Sequence, residues 1–192
     1  MNRVILSAST DETILAVTRQ HKLVDLEIEQ QINTEIVGCI YKGVVKNIVP
    51  AVDGIFVDIG IGKNAFLRRK DLLNEKRFPT EGSPILAQVI KSDTDMKGAL
   101  ITEKISMFGK YAVTLSGTGY IGVSKKIRQE SVRKKLKEIG KEICAEHMGL
   151  IIRTAAENAD MDEFRKDITR LKENWDIIQK RFRMEKSPTL LY

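Results

Sequence analysis

Gly38-Cys39-Ile40-Tyr41-Lys42-Gly43-Val44-Val45-Lys46-Asn47-Ile48 and, just beyond Pro50, Val52-Asp53-Gly54-Ile55-Phe56-Val57-Asp58-Ile59-Gly60-Ile61-Gly62-Lys63-Asn64-Ala65-Phe66-Leu67 decide the fold. The runs are rich in β-branched residues and are punctuated by Gly and Pro, which reads as three short strands joined by turns. Phe56 and Phe66 stand among several lysines on these strands. Aromatic rings with basic neighbours on a small barrel suit single-stranded nucleic acid, because any base offers a face to stack. Working outward, residues 36–104 hold five strand candidates, the last over Lys97–Lys104, separated by Pro50, Pro79-Thr80-Glu81-Gly82 and Ser92-Asp93-Thr94-Asp95. Five strands in under 70 residues predict the oligonucleotide-binding (OB-fold) barrel.

Upstream, residues 1–35 offer three strand candidates, Arg3 to Ser7, Thr13 to Thr18 and Leu23 to Ile28, and predict a β-meander. Downstream, residues 105–158 mix strands near Tyr111–Leu115, Gly119–Val123 and Gly149–Thr154 with one helix carrying Val132, Leu136, Ile139 and Ile143 on one face. This is a small α/β segment. In residues 159–192, Met161, Phe164, Ile168, Leu171, Trp175, Ile178 and Phe182 repeat at helical spacing after Asp160 and Glu163, three apart as in a capping box. The whole is an α+β chain.

The 192 residues are 42% hydrophobic, enough for ordinary cores, and 32 Lys and Arg against 26 Asp and Glu leave a net charge of +6. That balance favours a polyanionic partner. Cys39 and Cys144 lie far apart with no CxxC pair or histidine cluster, so neither a disulfide framework nor a zinc site is expected. No apolar run reaches the roughly 18 residues of a membrane span, and the start lacks a signal-peptide pattern. A cytoplasmic protein is expected.

Tyr41-Lys42-Gly43, Ile55-Phe56-Val57-Asp58-Ile59-Gly60, Ala65-Phe66-Leu67, Lys97-Gly98-Ala99-Leu100-Ile101-Thr102, Gly149-Leu150-Ile151-Ile152-Arg153-Thr154-Ala155, Leu171-Lys172-Glu173-Asn174-Trp175 and Pro188-Thr189-Leu190-Leu191-Tyr192 occur in an order that resembles the N-terminal half of the ribonuclease E/G family. The resemblance covers essentially the whole chain. It implies an RNA-binding barrel of the type named after the first protein of the small ribosomal subunit, inserted in a ribonuclease H-like subdomain formed by residues 1–35 and 159–192. Residues 105–158 would be the sensor of a 5′-monophosphate. The resemblance further implies that Phe56 and Phe66 hold the RNA strand, with Lys97 and Lys42 as basic neighbours. By the same token Arg153 and Thr154 grip the terminal phosphate, opposite a wall of Gly109 and Val113, with Lys125 and Lys126 as a basic pair nearby. An Arg fork bonds two phosphate oxygens, and a lysine keeps the charge while losing the fork.

In that family hydrolysis belongs to a later deoxyribonuclease-I-like domain whose aspartates hold magnesium, and the resemblance ends before it. No cofactor is expected in this chain, magnesium being the ligand of the domain that is not represented. Asp53 with Asp58, and Asp93 with Asp95, read as strand and turn residues and not as metal ligands. His21 and His147 have no Ser, Cys or carboxylate partner at a recognisable spacing. Gly60-Ile61-Gly62-Lys63 is too short for a phosphate-cradling loop. The expectation is a chain that binds single-stranded RNA and senses its 5′ end without cutting it, with a homo-oligomer implied only for full-length relatives. A free-standing RNA-binding protein without nuclease function, and a non-RNA α/β module, are the alternatives.

Overall fold

The structure, a computed structural model, describes residues 2–8, 12–20, 22–30, 36–94, 97–144 and 148–192. The chain divides into two compact units, Met1–Ile36 and Val37–Tyr192.

The first unit is the expected meander. Strands β1 (Asn2–Ala8), β2 (Glu12–Arg19) and β3 (Lys22–Gln30) pair antiparallel in sequence order. Ile5, Ala16 and Leu26 stand directly across from one another, as do Ile14 and Ile28, while Val4 with Val17 and Leu6 with Leu15 pair on the opposite face, so apolar side chains stand on both faces of this sheet.

In the second unit, β4 (Ile40–Val49), β5 (Gly54–Asp58), β6 (Ala65–Arg68), β7 (Pro84–Lys91) and β8 (Leu100–Thr102) form the five-stranded barrel. Their order is β4-β5-β6-β8-β7, closed by pairing of β4 with β7, and only β6–β8 is parallel. Alternation fills the interior with Val45, Ile55, Val57, Ala65, Leu67, Ala87, Val89 and Ile101, all essentially inaccessible. The last strand, Leu100–Thr102, is shorter than expected, and just before it Gly98 packs against the Asn64 carbonyl with no room for a Cβ.

Residues 105–158 hold a four-stranded sheet in the order β11-β12-β10-β9, built from β9 (Ser106–Phe108), β10 (Ala112–Ser116), β11 (Ile121–Val123) and β12 (Met148–Ile152). Strand β9 was not among the expected strands. Three residues are too few for alternation to show; pairing with β10 and the buried Gln88 amide hold it, Gln88 accepting from the Ser106 N–H and donating to the Ser106 and Gly38 carbonyls at 2.9 Å each. Helices α1 (Glu130–Ile143) and α2 (Met161–Met184) share one core with this sheet: Leu136, Ile139, Phe164, Ile168, Leu171 and Ile178 pack with Met107, Ala112, Leu150 and Ile152. A final short strand, β13 (Thr189–Leu190), pairs antiparallel with β4 at Tyr41 and Lys42.

The capping box is half formed. Asp160 caps α2 by accepting from the Asp162 and Glu163 N–H groups at 2.9 and 3.1 Å. The Glu163 carboxylate turns instead to the Tyr111 hydroxyl at 2.6 Å and the Lys110 ammonium at 3.1 Å.

Candidate nucleic-acid interface

Phe56 and Phe66 face each other across β5 and β6, their centroids 5.4 Å apart and their planes tilted by 50°. Both rings are half-buried, unlike the fully enclosed residues that alternate with them. The Phe66 ring lies directly over Gly54, where any Cβ would overlap its edge, so the glycine makes the seat of that ring. A bulge at Lys46 then puts Asn47 opposite Phe56, while Lys46 pairs with Asp58 at 3.3 Å. Lys97 is exposed in the turn that leads to Ala99, whose carbonyl accepts from the Phe66 N–H. The structure thus brings Phe56 and Phe66 together on the barrel, with Lys97 in the turn that leads to the strand beside Phe66.

Lys42 goes elsewhere. Its ammonium donates to the Glu185 carbonyl at 2.7 Å and sits 5.1 Å from the Phe182 ring centroid, so it fastens the end of α2 to the barrel.

Arg153 and Thr154 leave the sheet just past the end of β12, which stops at Ile152, two residues short of the expected strand end, where Arg153 precedes a 3-10 turn over Thr154–Ala156. The Arg153 guanidinium donates to the Gly109 carbonyl at 2.9 Å, and its backbone N–H donates to the Tyr111 carbonyl at 2.8 Å. The Thr154 hydroxyl meets the Ser124 hydroxyl at 3.0 Å, and the exposed Lys125 and Lys126 follow Ser124 directly. Val113 pairs with both Phe108 and Ile151, which places the three on one sheet face; Phe108 is 74% exposed there. Arg153, Thr154, Gly109 and the Ser124–Lys126 turn therefore converge, and Val113 lies on the sheet beside them.

Gly109 has a sharper role than a turn residue. A Cβ there would lie 2.5 Å from a carboxylate oxygen of Asp167, which reaches over from α2. Sequence reasoning missed Asp167, Ser124 and Gly54. The one available signal was an acid on the apolar stripe of α2, between Phe164 and Ile168.

The described residues do not fit a catalytic magnesium site. Asp53 is ion-paired with Arg69 and Asp58 with Lys46, and among the described residues no three His, Cys, Asp or Glu side chains converge. Asp95, His21 and His147 lie outside the described residues. Among the described residues no helix is long and apolar enough to cross a membrane.

A closed barrel with paired aromatics beside lysines defines an RNA-binding protein of the oligonucleotide-binding class. The family model for the S1 RNA binding domain matches residues 34–102, and that for the ribonuclease E/G family matches residues 106–192. Ribonuclease G of Escherichia coli K12 is 32% identical over 98% of this chain and 42% of its own length. Ribonuclease G of Haemophilus influenzae is 34% identical over 93% of this chain and 40% of its own length. Ribonuclease E of Synechocystis is 33% identical over 86% of this chain and 26% of its own length. The chain belongs to the ribonuclease E/G family, and it spans about two fifths of the ribonuclease G relatives it matches.

Proposed function

We propose that these 192 residues are the RNA-binding and 5′-monophosphate-sensing part of a ribonuclease E/G-type endoribonuclease acting in RNA processing and decay. Single-stranded RNA lies on Phe56, Phe66 and Lys97. Its 5′-terminal phosphate is held by Arg153, Thr154, Lys125 and Lys126 against the wall of Gly109 and Val113. Residues 1–35 and 159–192 belong to a ribonuclease H-like subdomain of the whole enzyme, and cleavage is carried by groups outside this chain.

The observation that carries the sensor reading is the anchoring of Arg153. A guanidinium has five N–H donors, and the bond to the Gly109 carbonyl engages one of them. The anchored fork stands beside a threonine hydroxyl and a lysine pair in an exposed position, which is the donor set a dianionic terminal phosphate calls for. A generic barrel binder has no use for it. The cleavage reading is supported by Asp53 and Asp58, each of which is neutralised by a basic partner.

Fluorescence anisotropy with one labelled oligoribonucleotide, bearing either a 5′-monophosphate or a 5′-hydroxyl, tests the reading. The monophosphorylated form binds tighter by roughly ten-fold, the equivalent of one net hydrogen bond to a charged group. Arg153→Ala removes that preference and leaves binding of the 5′-hydroxyl RNA intact. Equal affinities in the unsubstituted protein contradict the sensor assignment.

A further inference from the structure

Asp167 is a charged residue on the buried face of α2, with its side chain 6% exposed, between Phe164 and Ile168. A carboxylate in such a place is tolerated only when its oxygens are bonded. Its partners come from one three-residue turn, Gly109-Lys110-Tyr111. One oxygen accepts from the Lys110 N–H at 3.1 Å, and the other from the Tyr111 N–H at 2.8 Å. Gly109 lies flat against the same carboxylate. Arg170, one turn further along α2, reaches Asp167 at 3.5 Å from the solvent side.

That turn is also the support of Arg153. The Gly109 carbonyl accepts from the Arg153 guanidinium, and the Tyr111 carbonyl accepts from the Arg153 backbone N–H. A continuous run of bonds therefore leads from the Asp167 carboxylate through two backbone amides, across the turn and out of the Gly109 carbonyl to the guanidinium. The peptide planes make it directional. With the Lys110 and Tyr111 N–H groups fixed on Asp167, the Gly109 and Tyr111 carbonyls can point only where the neighbouring planes allow, and Arg153 takes both.

We propose that Asp167 is the positioning residue of the phosphate-end pocket: it orients the 109–111 turn so that Arg153 presents its free N–H donors outward in one fixed direction. This rests on the reading of Arg153 as the phosphate ligand. Asp167 does not itself touch RNA. It acts through a helix that follows the pocket residues in the chain, so the pocket is complete only when α2 is docked. The shape of the site also explains why position 109 is a glycine: any side chain there would push the carboxylate off the amides it holds.

The test uses the whole chain with Asp167→Asn and Asp167→Ala. Asparagine keeps the volume but turns an N–H₂ group toward a backbone N–H, so one of the two bonds is lost and the turn shifts. In the folded Asn variant the preference for 5′-monophosphorylated over 5′-hydroxyl RNA falls by about five-fold or more, toward the Arg153→Ala level, because a charge-assisted bond is lost. Affinity for the 5′-hydroxyl RNA stays within about two-fold, since the barrel surface is separate. The Arg153 Nε–H resonance in the free protein moves as well, a change that a general loss of stability would not give. A folded variant with the full preference, or an unmoved Arg153 resonance, overturns the proposal. If neither variant folds, amide exchange in the unsubstituted protein decides. Lys110 and Tyr111 amides that exchange more slowly than those of the 117–119 loop, and slow further with monophosphorylated RNA, support it; exchange as fast as the loop's, or unchanged by that RNA, overturns it. If the unsubstituted protein shows no end preference at all, the function fails first, and the Arg153 resonance alone then judges Asp167.

Discussion

The barrel and the segment of residues 105–158 hold their proposed RNA-contacting side chains in opposite ways. In the barrel the pairings that close the sheet and seat Phe56 and Phe66 lie within residues 40–102, with β13 added at the β4 edge, and the two rings stand ten positions apart on adjoining strands. In residues 105–158 the proposed phosphate ligand, Arg153, leans on a turn at 109–111 that is itself held from α2 by Asp167 and Glu163. A surface built from one closed sheet needs only its own strands. A pocket assembled from three distant stretches inherits the stability of every contact between them. The proposed end-sensing pocket is therefore the more easily uncoupled of the two.

The largest expected effect tests the self-sufficiency of the barrel. Gly98→Ala places a methyl against the Asn64 backbone carbonyl, which cannot rotate away as a side chain would. The chain should lose about 2 to 3 kcal/mol in urea unfolding, as overpacking of a tight site does. Amide protection in β6 and β8 should fall before that of β10 and β12. Simultaneous loss in both regions would show that the barrel is not independent of the β9–β12 sheet.

The smallest expected effect lies at the junction of the two regions. Glu103 follows β8, accepts from the Leu73 N–H at 2.9 Å, and receives the Ser116 hydroxyl on its carbonyl at 3.1 Å. Burial pushes its carboxyl above the ordinary value, and the Leu73 bond offsets part of that rise. A carboxyl whose folded value is raised favours the folded state in its protonated form. Its contribution is thus fully present below the unfolded value and lost as pH rises through the folded one. Glu103→Gln keeps an acceptor for Leu73 and removes the charge, so the variant should match or exceed the parent in melting temperature at pH 7. The difference between them should close as pH falls below the ordinary carboxyl range. A parent that gains stability relative to the variant as pH rises through that window would contradict the sign.

How much was legible follows the same division. The five barrel strands could be read from residues 36–104 because Gly54, Gly60, Gly62 and Pro50 punctuate them; alternation sets Phe56 and Phe66 on the face opposite Ile55, Val57 and Leu67, and the family resemblance, not alternation, assigned the two rings to the outer face. Helix α2 could be read from its stripe and Asp160. What stayed hidden depends on contacts across long separations. Strand β9 needs Gln88 from the barrel, Lys42 is claimed by the end of α2 more than 140 residues later, and Asp167 shows its meaning only when the 109–111 turn is laid on it. Residue type gives no warning of this. Lys42 has the spacing of an RNA contact and the surroundings of a helix clamp.

The central claim is that two separable surfaces read one RNA, the strand on the barrel and the phosphate at the end. The most direct measurement takes Phe56→Ala with Phe66→Ala in a folded protein and titrates both the 5′-monophosphorylated and the 5′-hydroxyl oligonucleotide. Loss of stacking at roughly 1 to 3 kcal/mol per base should weaken both RNAs by ten-fold or more. The ratio between them should stay at that of the unsubstituted protein. Unchanged affinity for both RNAs, or a ratio that collapses along with the affinity, would contradict the account.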